Sequence, residues 1–415
     1  VPTRKVDYLL IGGGLASANC ARWLREEGAE GDVLLIGREP DPPYNRPECS
    51  KGYLRGEESR EDTYFRPNDF WDQQSIELLT RTSVTALDLQ GRTVTLSNKE
   101  EIEFEQALIA TGANVRRLNV DGCQLDQIHY LRALGNADAI RAGAQDAEEV
   151  VLIGGSFIAC EVAASLTALG KSCTLAALEQ APLELSFGAS VGRFFKEQLE
   201  SIGVMFHPGE ALERFEGEER VRKVVMQSGL ELAADMAVVG AGVIPDMLLA
   251  QKAGLQIGER GGVRCSSRLE TAVLGVFTAG DICEYESVIH GGAHVRIEHW
   301  DVAFNHGKTV ALNMLGRDVP HLEVPYFYSV LAGLGELEYV GPAYEWDEEI
   351  LRGSFEEASF TNWYLKDGFV KAALTWGRSG DLEAARELIV DGTPLDERQR
   401  AALADPSSNL QTDIR

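Results

Sequence analysis

Val6-Asp7-Tyr8-Leu9-Leu10-Ile11 runs without a break into Gly12-Gly13-Gly14-Leu15-Ala16-Ser17. The first half reads as a buried strand, and a helix pattern follows the glycines through Arg25. A second apolar strand, Val33-Leu34-Leu35-Ile36, then leads to Glu39. Strand, glycine turn, helix, strand and acid, in that order, make a Rossmann-type dinucleotide-binding half. Gly12 suits the tight turn and Gly14 lets a pyrophosphate approach the backbone. The helix start adds free N–H groups and partial positive charge. Ser17 stands at the third glycine position and is small enough for helix–strand packing.

The same order returns later in the chain. Val150-Val151-Leu152-Ile153 enters Gly154-Gly155-Ser156-Phe157-Ile158-Ala159, a helix runs to about Leu169, and the strand Cys173–Ala177 leads to Glu179. The repeat predicts an α/β fold with two Rossmann-like domains, one for each of two dinucleotides. In the second turn Ser156 replaces the middle glycine and Ala159 the third. The Ser156 hydroxyl either donates to a phosphate or weakens binding by crowding its path. Glu179 is placed for a ribose 2′-hydroxyl, and no Arg or Lys lies from Ser172 to Gly192 to receive a 2′-phosphate, so NAD is expected over NADP.

Outside the two turns, Thr82–Leu89, Arg92–Leu96 and Glu103–Ala110 read as strands, the last ending in Thr111-Gly112. Ala237–Gly240 and Val276–Asp281 read as further strands ending at glycines or an acid. Beyond about Pro320 the glycine turns stop. Strands near Phe360–Leu365 and Phe369–Trp376 and a helix Leu382–Ile389 predict a separate C-terminal α+β domain, with a polar tail expected to fray from Asp405.

The chain has 415 residues, 39 Lys plus Arg against 65 Asp plus Glu, and a net charge of -26. That balance disfavours nucleic acid and anionic membranes as partners. An acidic partner protein would need a local basic patch, and no run of Lys and Arg supplies one. No apolar run reaches the roughly 20 residues of a membrane span. The start, Val1-Pro2-Thr3-Arg4-Lys5, leads directly into a strand pattern, without the look of a signal peptide. The scattered cysteines, Cys20, Cys49, Cys123, Cys160, Cys173, Cys265 and Cys283, have no metal-ligand spacing and suit a reduced, cytoplasmic setting. His207, His290, His294, His306 and His321 show no ligand spacing either, so no metal is expected.

Four further stretches carry a resemblance. They are Pro43-Tyr44-Asn45-Arg46-Pro47-Glu48-Cys49-Ser50-Lys51, Ala110-Thr111-Gly112, Thr278-Ala279-Gly280-Asp281 and Arg296-Ile297-Glu298-His299-Trp300. Together they resemble the flavoprotein ferredoxin reductases of oxygenase systems, the putidaredoxin reductase type, to which apoptosis-inducing factor is related. The resemblance covers nearly the whole chain. It implies FAD and NADH as cofactors and three domains: FAD-binding at 1–114 and 243–322, NAD-binding at 115–242, and a C-terminal α+β domain at 323–415. For FAD it implies Gly12, Gly14, Leu15, Ala16, Ser17, Arg38, Glu39, Arg46, Lys51, Val84, Ala110, Thr111, Gly112, Asp281, Glu298, His299, Trp300 and Tyr328. For NAD it implies Gly154, Ser156, Phe157, Ile158, Glu161, Glu179 and Gly242. Lys51 is implied to pair with Glu161 beside the flavin's reactive nitrogen, as the catalytic pair.

The activity so implied is electron transfer from NADH through FAD to a ferredoxin- or rubredoxin-type carrier protein. An NADH oxidase or quinone-type reductase without a carrier is one alternative. A redox-sensing interaction protein like apoptosis-inducing factor, able to form a homodimer, is another. The chain also departs from the family pattern. Cys49 stands where leucine is usual, either as a buried small side chain or as a redox thiol. Tyr328-Ser329 is followed by Val330 and Leu331 rather than an acid, and Val330–Leu334 is expected to be core, as are Trp363 and Trp376.

Overall fold

The computed structural model describes residues 4–414. Val1–Thr3 and Arg415, which belong to the expected start and the tail, lie outside the described residues. The chain forms two compact units. The first holds residues up to Asn45, Thr63–Asn114 and Ile244–Phe327; the second holds Arg46–Asp62, Val115–Val243 and the chain from Tyr328 onward.

The first unit is built on a mixed sheet. Ile76–Leu79, Val33–Ile36, Arg4–Ile11 and Glu101–Ile109 lie side by side and parallel, with Thr93–Leu96 and Val84–Asp88 continuing antiparallel. Val276–Thr278 joins the far end of Glu101–Ile109 in parallel. These strands read as continuous apolar runs because both sheet faces are covered. One face packs against the helices Leu15–Glu26 and Trp300–Met314 through residues such as Leu10, Leu35 and Leu108. The other buries Leu9, Leu34 and Ile109. The two helices lie very close: a Cβ on Gly307 would meet the carbonyl oxygen of Ala16 at 2.4 Å. The expected strand Val276–Asp281 stops at Thr278, because the backbone turns at Gly280 (φ +70°) into a short 3-10 segment, Gly280–Ile282.

The second unit contains a parallel sheet in the order Met205–Pro208, Ser172–Ala177, Glu149–Ile153, Met236–Val239, Ile128–His129. It also contains the C-terminal sheet, which the two expected strands understate. That sheet has five strands, in the order Tyr326–Leu331, Gly335–Val340, Phe369–Trp376, Ser359–Lys366, Glu348–Ser354. Charged residues weaken the apolar pattern of Gly335–Val340 and Glu348–Ser354, and Tyr326–Leu331, which has none, is a further strand that was not expected. Residues 115–242 and 323–415, expected as two domains, pack against each other within this unit. Helix Glu184–Ser201 presents Phe187, Phe194 and Phe195 to that sheet, with ring centroids 5.1 Å from Tyr339 for Phe187 and 5.3 and 5.5 Å from Trp376 for the other two. The segment Arg46–Asp62, expected with the first domain, belongs to the second unit, where Tyr53 and Arg60 both bond to Asp138. Trp363 and Trp376 are core, as expected. In Val330–Leu334 only Leu331 is core, since Ala332–Leu334 make the turn into the next strand.

The tail does not fray. Arg352, 3% exposed in the strand Glu348–Ser354, pairs with Asp381 at 3.1 Å. Its guanidinium also donates to the carbonyls of Ala402, Asp405 and Ser408. Buried charge needs such satisfaction, so the tail is drawn in as the ligand of an internal arginine. Leu410 and Ile414 are buried behind it. Arg352→Ala is expected to cost about 2 kcal/mol of stability by leaving these carbonyls without their donor, while Asp381 keeps Arg378 and Thr361. Urea denaturation measures it, and limited proteolysis should then cut beyond Asp405; an unchanged midpoint would refute the role.

In the first unit His306 and His321 are buried edge to face, with ring centroids 4.6 Å apart. His306 Nδ1 accepts the Gly280 N–H at 3.2 Å, and His321 Nδ1 lies 3.0 Å from the Thr309 hydroxyl. Burial pushes His321 down to about 4, and burial plus the neighbouring His321 pushes His306 well below its ordinary value. The unfolded chain takes up these protons near pH 6.5, and the folded chain does not. Stability is therefore complete above about pH 6.5 and falls as pH drops toward 4, by up to about 2 kcal/mol per histidine at pH 5. Denaturant midpoints at pH 7.5 and pH 5 test this, and equal midpoints would contradict it.

Candidate functional site

The first glycine turn has the shape its sequence calls for. Gly12 has φ +120°, and a Cβ there would lie 2.1 Å from the Ala110 carbonyl oxygen, so only glycine fits. A Cβ on Gly14 would meet nothing within 4 Å, which leaves open space against the backbone. Helix Leu15–Glu26 starts at Gly14 with no side-chain cap and no acid in its first turn. The Ser17 hydroxyl is buried there without a partner. Free N–H groups, open space and an unpaired hydroxyl fit a pyrophosphate.

Around this turn the expected residues in the first unit hold one another. Arg38 pairs with Asp246 at 2.8 Å and donates to Asn114. Glu39 accepts from the Tyr44 hydroxyl. Ala110 N–H bonds to the Ile11 carbonyl, Thr111 Oγ1 donates to the Asp246 carbonyl at 2.7 Å, and Gly112 follows at φ +69°. Val84 opens an edge strand and is half-buried. Asp281 sits in the 3-10 segment after Gly280, its carbonyl accepting from Arg296, which also pairs with Glu298. His299 lies 4.8 Å from the Phe327 ring, and Trp300 Nε1 donates to Asn45 at 3.1 Å. Two of the stretches quoted for the resemblance, separated by 255 positions, thus meet at Asn45 and Trp300.

The second turn, in the second unit, is made differently. Gly154 has φ +107°, and the Ser156 side chain accepts from Ala159 N–H at 3.3 Å as the N-cap of helix Phe157–Ala168. Ser156 is therefore a helix cap as well as a turn residue. Phe157 packs edge-on against Phe187, and Ile158 is exposed. Glu179 Oε2 lies 3.2 Å from where a Gly155 Cβ would stand, so the acid closes back on the glycine turn. The space beside Gly242 is open. Open space at the turn with a carboxylate on its rim fits the adenosine side of a nicotinamide dinucleotide.

Lys51 and Glu161 also lie together in the second unit. Lys51 Nζ is 2.8 Å from Glu161, with both side chains buried. Glu161 accepts in addition from the hydroxyls of Ser50 and Ser329. Lys51 Nζ bonds to the Pro47 carbonyl at 3.3 Å and stands 5.9 Å from the Tyr328 ring centroid. Burial, reinforced by the carboxylates of Glu48 and Glu161, pushes the Tyr328 hydroxyl up to about 12, so it stays a neutral donor. Arg46 donates to the Arg132 carbonyl at 2.9 Å. Cys49 is a packed, buried side chain in the same turn. Sequence reasoning missed Ser50 and Ser329 as partners of Glu161. Ser329 lies 168 positions away, and no local pattern marks it.

Comparison with known proteins agrees with this geometry. Residues 6–307 match the pyridine nucleotide-disulphide oxidoreductase model, and 334–413 match the reductase C-terminal model. The chain is 33% identical over 401 residues to a 5,5'-dehydrodivanillate O-demethylase ferredoxin reductase subunit from a Sphingobium strain, covering 96% of each. It is 28% identical to human apoptosis-inducing factor 3, covering 95% of this chain but 64% of that protein's length. The ferredoxin reductase for the CYP199A2 system of Rhodopseudomonas palustris superposes with a TM-score of 0.92 at 30% identity, over 99% of this chain and 100% of that one. Despite the family's name, the described cysteines are all free. The chain belongs to the pyridine nucleotide-disulphide oxidoreductase family, and is an FAD-dependent oxidoreductase with NAD(H) as its second nucleotide.

Proposed function

We propose that the protein passes electrons from NADH through FAD to a one-electron carrier protein of ferredoxin or rubredoxin type. The observation that carries this reading is the pair of unlike glycine turns, one open and uncapped at Gly14, the other rimmed by Glu179. They occur in a chain whose C-terminal region matches the reductase model. FAD, when bound, supplies the redox chemistry, taking two electrons from a nicotinamide and releasing them singly. Gly12, Gly14 and the helix start at Leu15, Ala16 and Ser17 would hold its pyrophosphate, with Asp281 on the ribityl side. Lys51, anchored by Glu161, would place positive charge where negative charge develops on reduction. Tyr328 would lie against the ring's polar rim. Gly154, Ser156 and Gly242 would receive the NADH pyrophosphate, and Glu179 its ribose.

The same reading puts the protein in the cytoplasm. Cys265 and Cys283 lie with sulfurs 3.4 Å apart and remain thiols, which suits a reducing compartment. Among the described residues no helix is long and apolar enough to cross a membrane.

Stopped-flow reduction tests the donor side. NADH is expected to bleach the flavin at least about tenfold faster than NADPH, because a 2′-phosphate would meet the Glu179 carboxylate. Glu179→Ala is expected to weaken NADH binding about tenfold, the loss of one hydrogen bond to a charged group. Equal rates, or an unchanged NADH affinity in the variant, would remove Glu179 from the site. Lys51→Met is expected to lower the flavin midpoint potential and alter the flavin absorption band. A spectrum and potential like those of the parent would place the Lys51–Glu161 pair away from the ring. Reduction of neutral quinones but of no carrier protein would favour the quinone-type alternative.

A further inference from the structure

We propose that Ser329 is a positioning residue for the flavin chemistry: with Ser50, its hydroxyl pins Glu161 and so holds the Lys51 ammonium in one place. The inference rests on the reading above that sets Lys51 against the flavin. Glu161 is 3% exposed, on the second turn of helix Phe157–Ala168. Lys51 Nζ and the Ser50 hydroxyl both bond to its Oε2, while the Ser329 hydroxyl donates to Oε1. Ser329 is itself 2% exposed and comes from the edge strand Tyr326–Leu331 of the C-terminal sheet. Ser50 is held a second time, since its carbonyl accepts from the Ser165 hydroxyl at 2.6 Å, one turn further along the same helix. Ser329 has no such duplicate: among the described residues it is the one partner of Oε1.

Lys51 needs this hold because other carboxylates compete for it. A lysine ammonium is a point charge on a flexible four-carbon stem. The charge of Lys51 also acts on Glu48, half-buried in the 3-10 turn Arg46–Ser50, and on Glu336, exposed on the strand Gly335–Val340. If Oε1 lost its donor, the Glu161 carboxylate would be free to turn. The ammonium would then follow it or pass to Glu48 or Glu336. With both oxygens engaged, Lys51 Nζ keeps Glu161 at 2.8 Å and the Pro47 carbonyl at 3.3 Å. An ammonium has three N–H donors. Among the described residues these two acceptors use two of them, and the third is left for the flavin.

The arrangement does more than stability requires. Replacing a buried ion pair by apolar side chains is often neutral for stability, so the pair itself is poorly explained by folding. Two hydroxyls on one carboxylate take up part of its negative charge and weaken its pull on the ammonium. More of the Lys51 charge then remains to stabilise negative charge on a reduced ring. Ser329 also follows Tyr328, whose ring centroid stands 5.9 Å from Lys51 Nζ. Two adjacent residues of one strand thus supply the ring beside the ammonium and the hydroxyl behind its carboxylate. The C-terminal sheet takes part in setting the flavin potential by this route.

The test compares the FAD-loaded parent with Ser329→Ala, Ser329→Val, Ser329→Thr and Lys51→Met. Flavin midpoint potential, flavin absorption band and thermal midpoint are measured for each. Valine and threonine share a shape and differ in the hydroxyl, so their packing costs cancel, and alanine covers a failure of the larger side chains to fit. Ser329→Ala and Ser329→Val should shift the potential downward, as Lys51→Met does but by less. They should also slow flavin reduction by NADH roughly fivefold, less than the full loss of a hydrogen bond to a charged group. Ser329→Thr should keep the potential and absorption of the parent. Parent-like potential and absorption in the alanine and valine variants, even with a lower thermal midpoint, would leave Ser329 a structural role only and overturn the proposal. A threonine variant that behaves as the valine variant does would overturn it too. A shift in Lys51→Met alone sinks the role of Ser329 and leaves the placing of Lys51 intact. No shift in Lys51→Met sinks that placing, and the role of Ser329 with it.

Discussion

A single buried carboxylate ties the second unit together. Glu161 accepts from Ser50, Lys51 and Ser329, one contact set from each of the separate stretches 46–62 and 328 onward onto the helix Phe157–Ala168. An ionised carboxylate out of water is costly unless its oxygens are fully bonded. Removing any one donor leaves that cost uncovered, so the three stretches stay together. The same bonds hold the Lys51 ammonium in one place, where an electrostatic role requires it to be. On the proposed role of Lys51, stability and function share the same atoms here, and a conservative change at Ser50 or Ser329 acts on both.

The first unit is governed by close backbone approach instead. Gly12 abuts the Ala110 carbonyl and Gly307 lets helix Trp300–Met314 rest on helix Leu15–Glu26. That contact brings Trp23 and Arg22 of one helix beside Phe304 and Lys308 of the other. The helix pair therefore serves two ends. Its inner face covers the sheet and its uncapped start opens toward the glycine turn, while its outer face gathers the cations. Charge in the second unit is buried and paired at Lys51–Glu161, whereas in the first unit Arg22, Arg66 and Lys308 lie over aromatic rings.

Much of this was legible in the sequence because it is local. The strand–glycine–helix units at Val6–Ser17 and Val150–Ala159 span few residues, and each residue type there answers to a backbone constraint that reads off the chain directly. Acids after the second strands, and the small residues Ser17 and Ala159 in the turns, follow the same logic. The C-terminal sheet was only half legible. Phe360–Leu365 and Phe369–Trp376 announce themselves by apolar density, whereas Glu348–Ser354 alternates weakly and is held by its neighbours and by Arg352. The tail looked free because its residues are polar, and polarity cannot show that an arginine more than fifty positions earlier needs its carbonyls.

The sequence by itself determined the two nucleotide-binding turns, through short-range backbone geometry and side-chain size, and its local motifs carried the family with its FAD and NAD(H). Only the tertiary structure decided which distant groups meet. It brought Ser329 to Glu161, Asn45 to Trp300, and three scattered cations to one aromatic layer in a chain where no basic run exists. The reason is physical: burial and electrostatic pairing act through space, and the chain order that spells out a turn carries no record of the partners that folding will place across from it.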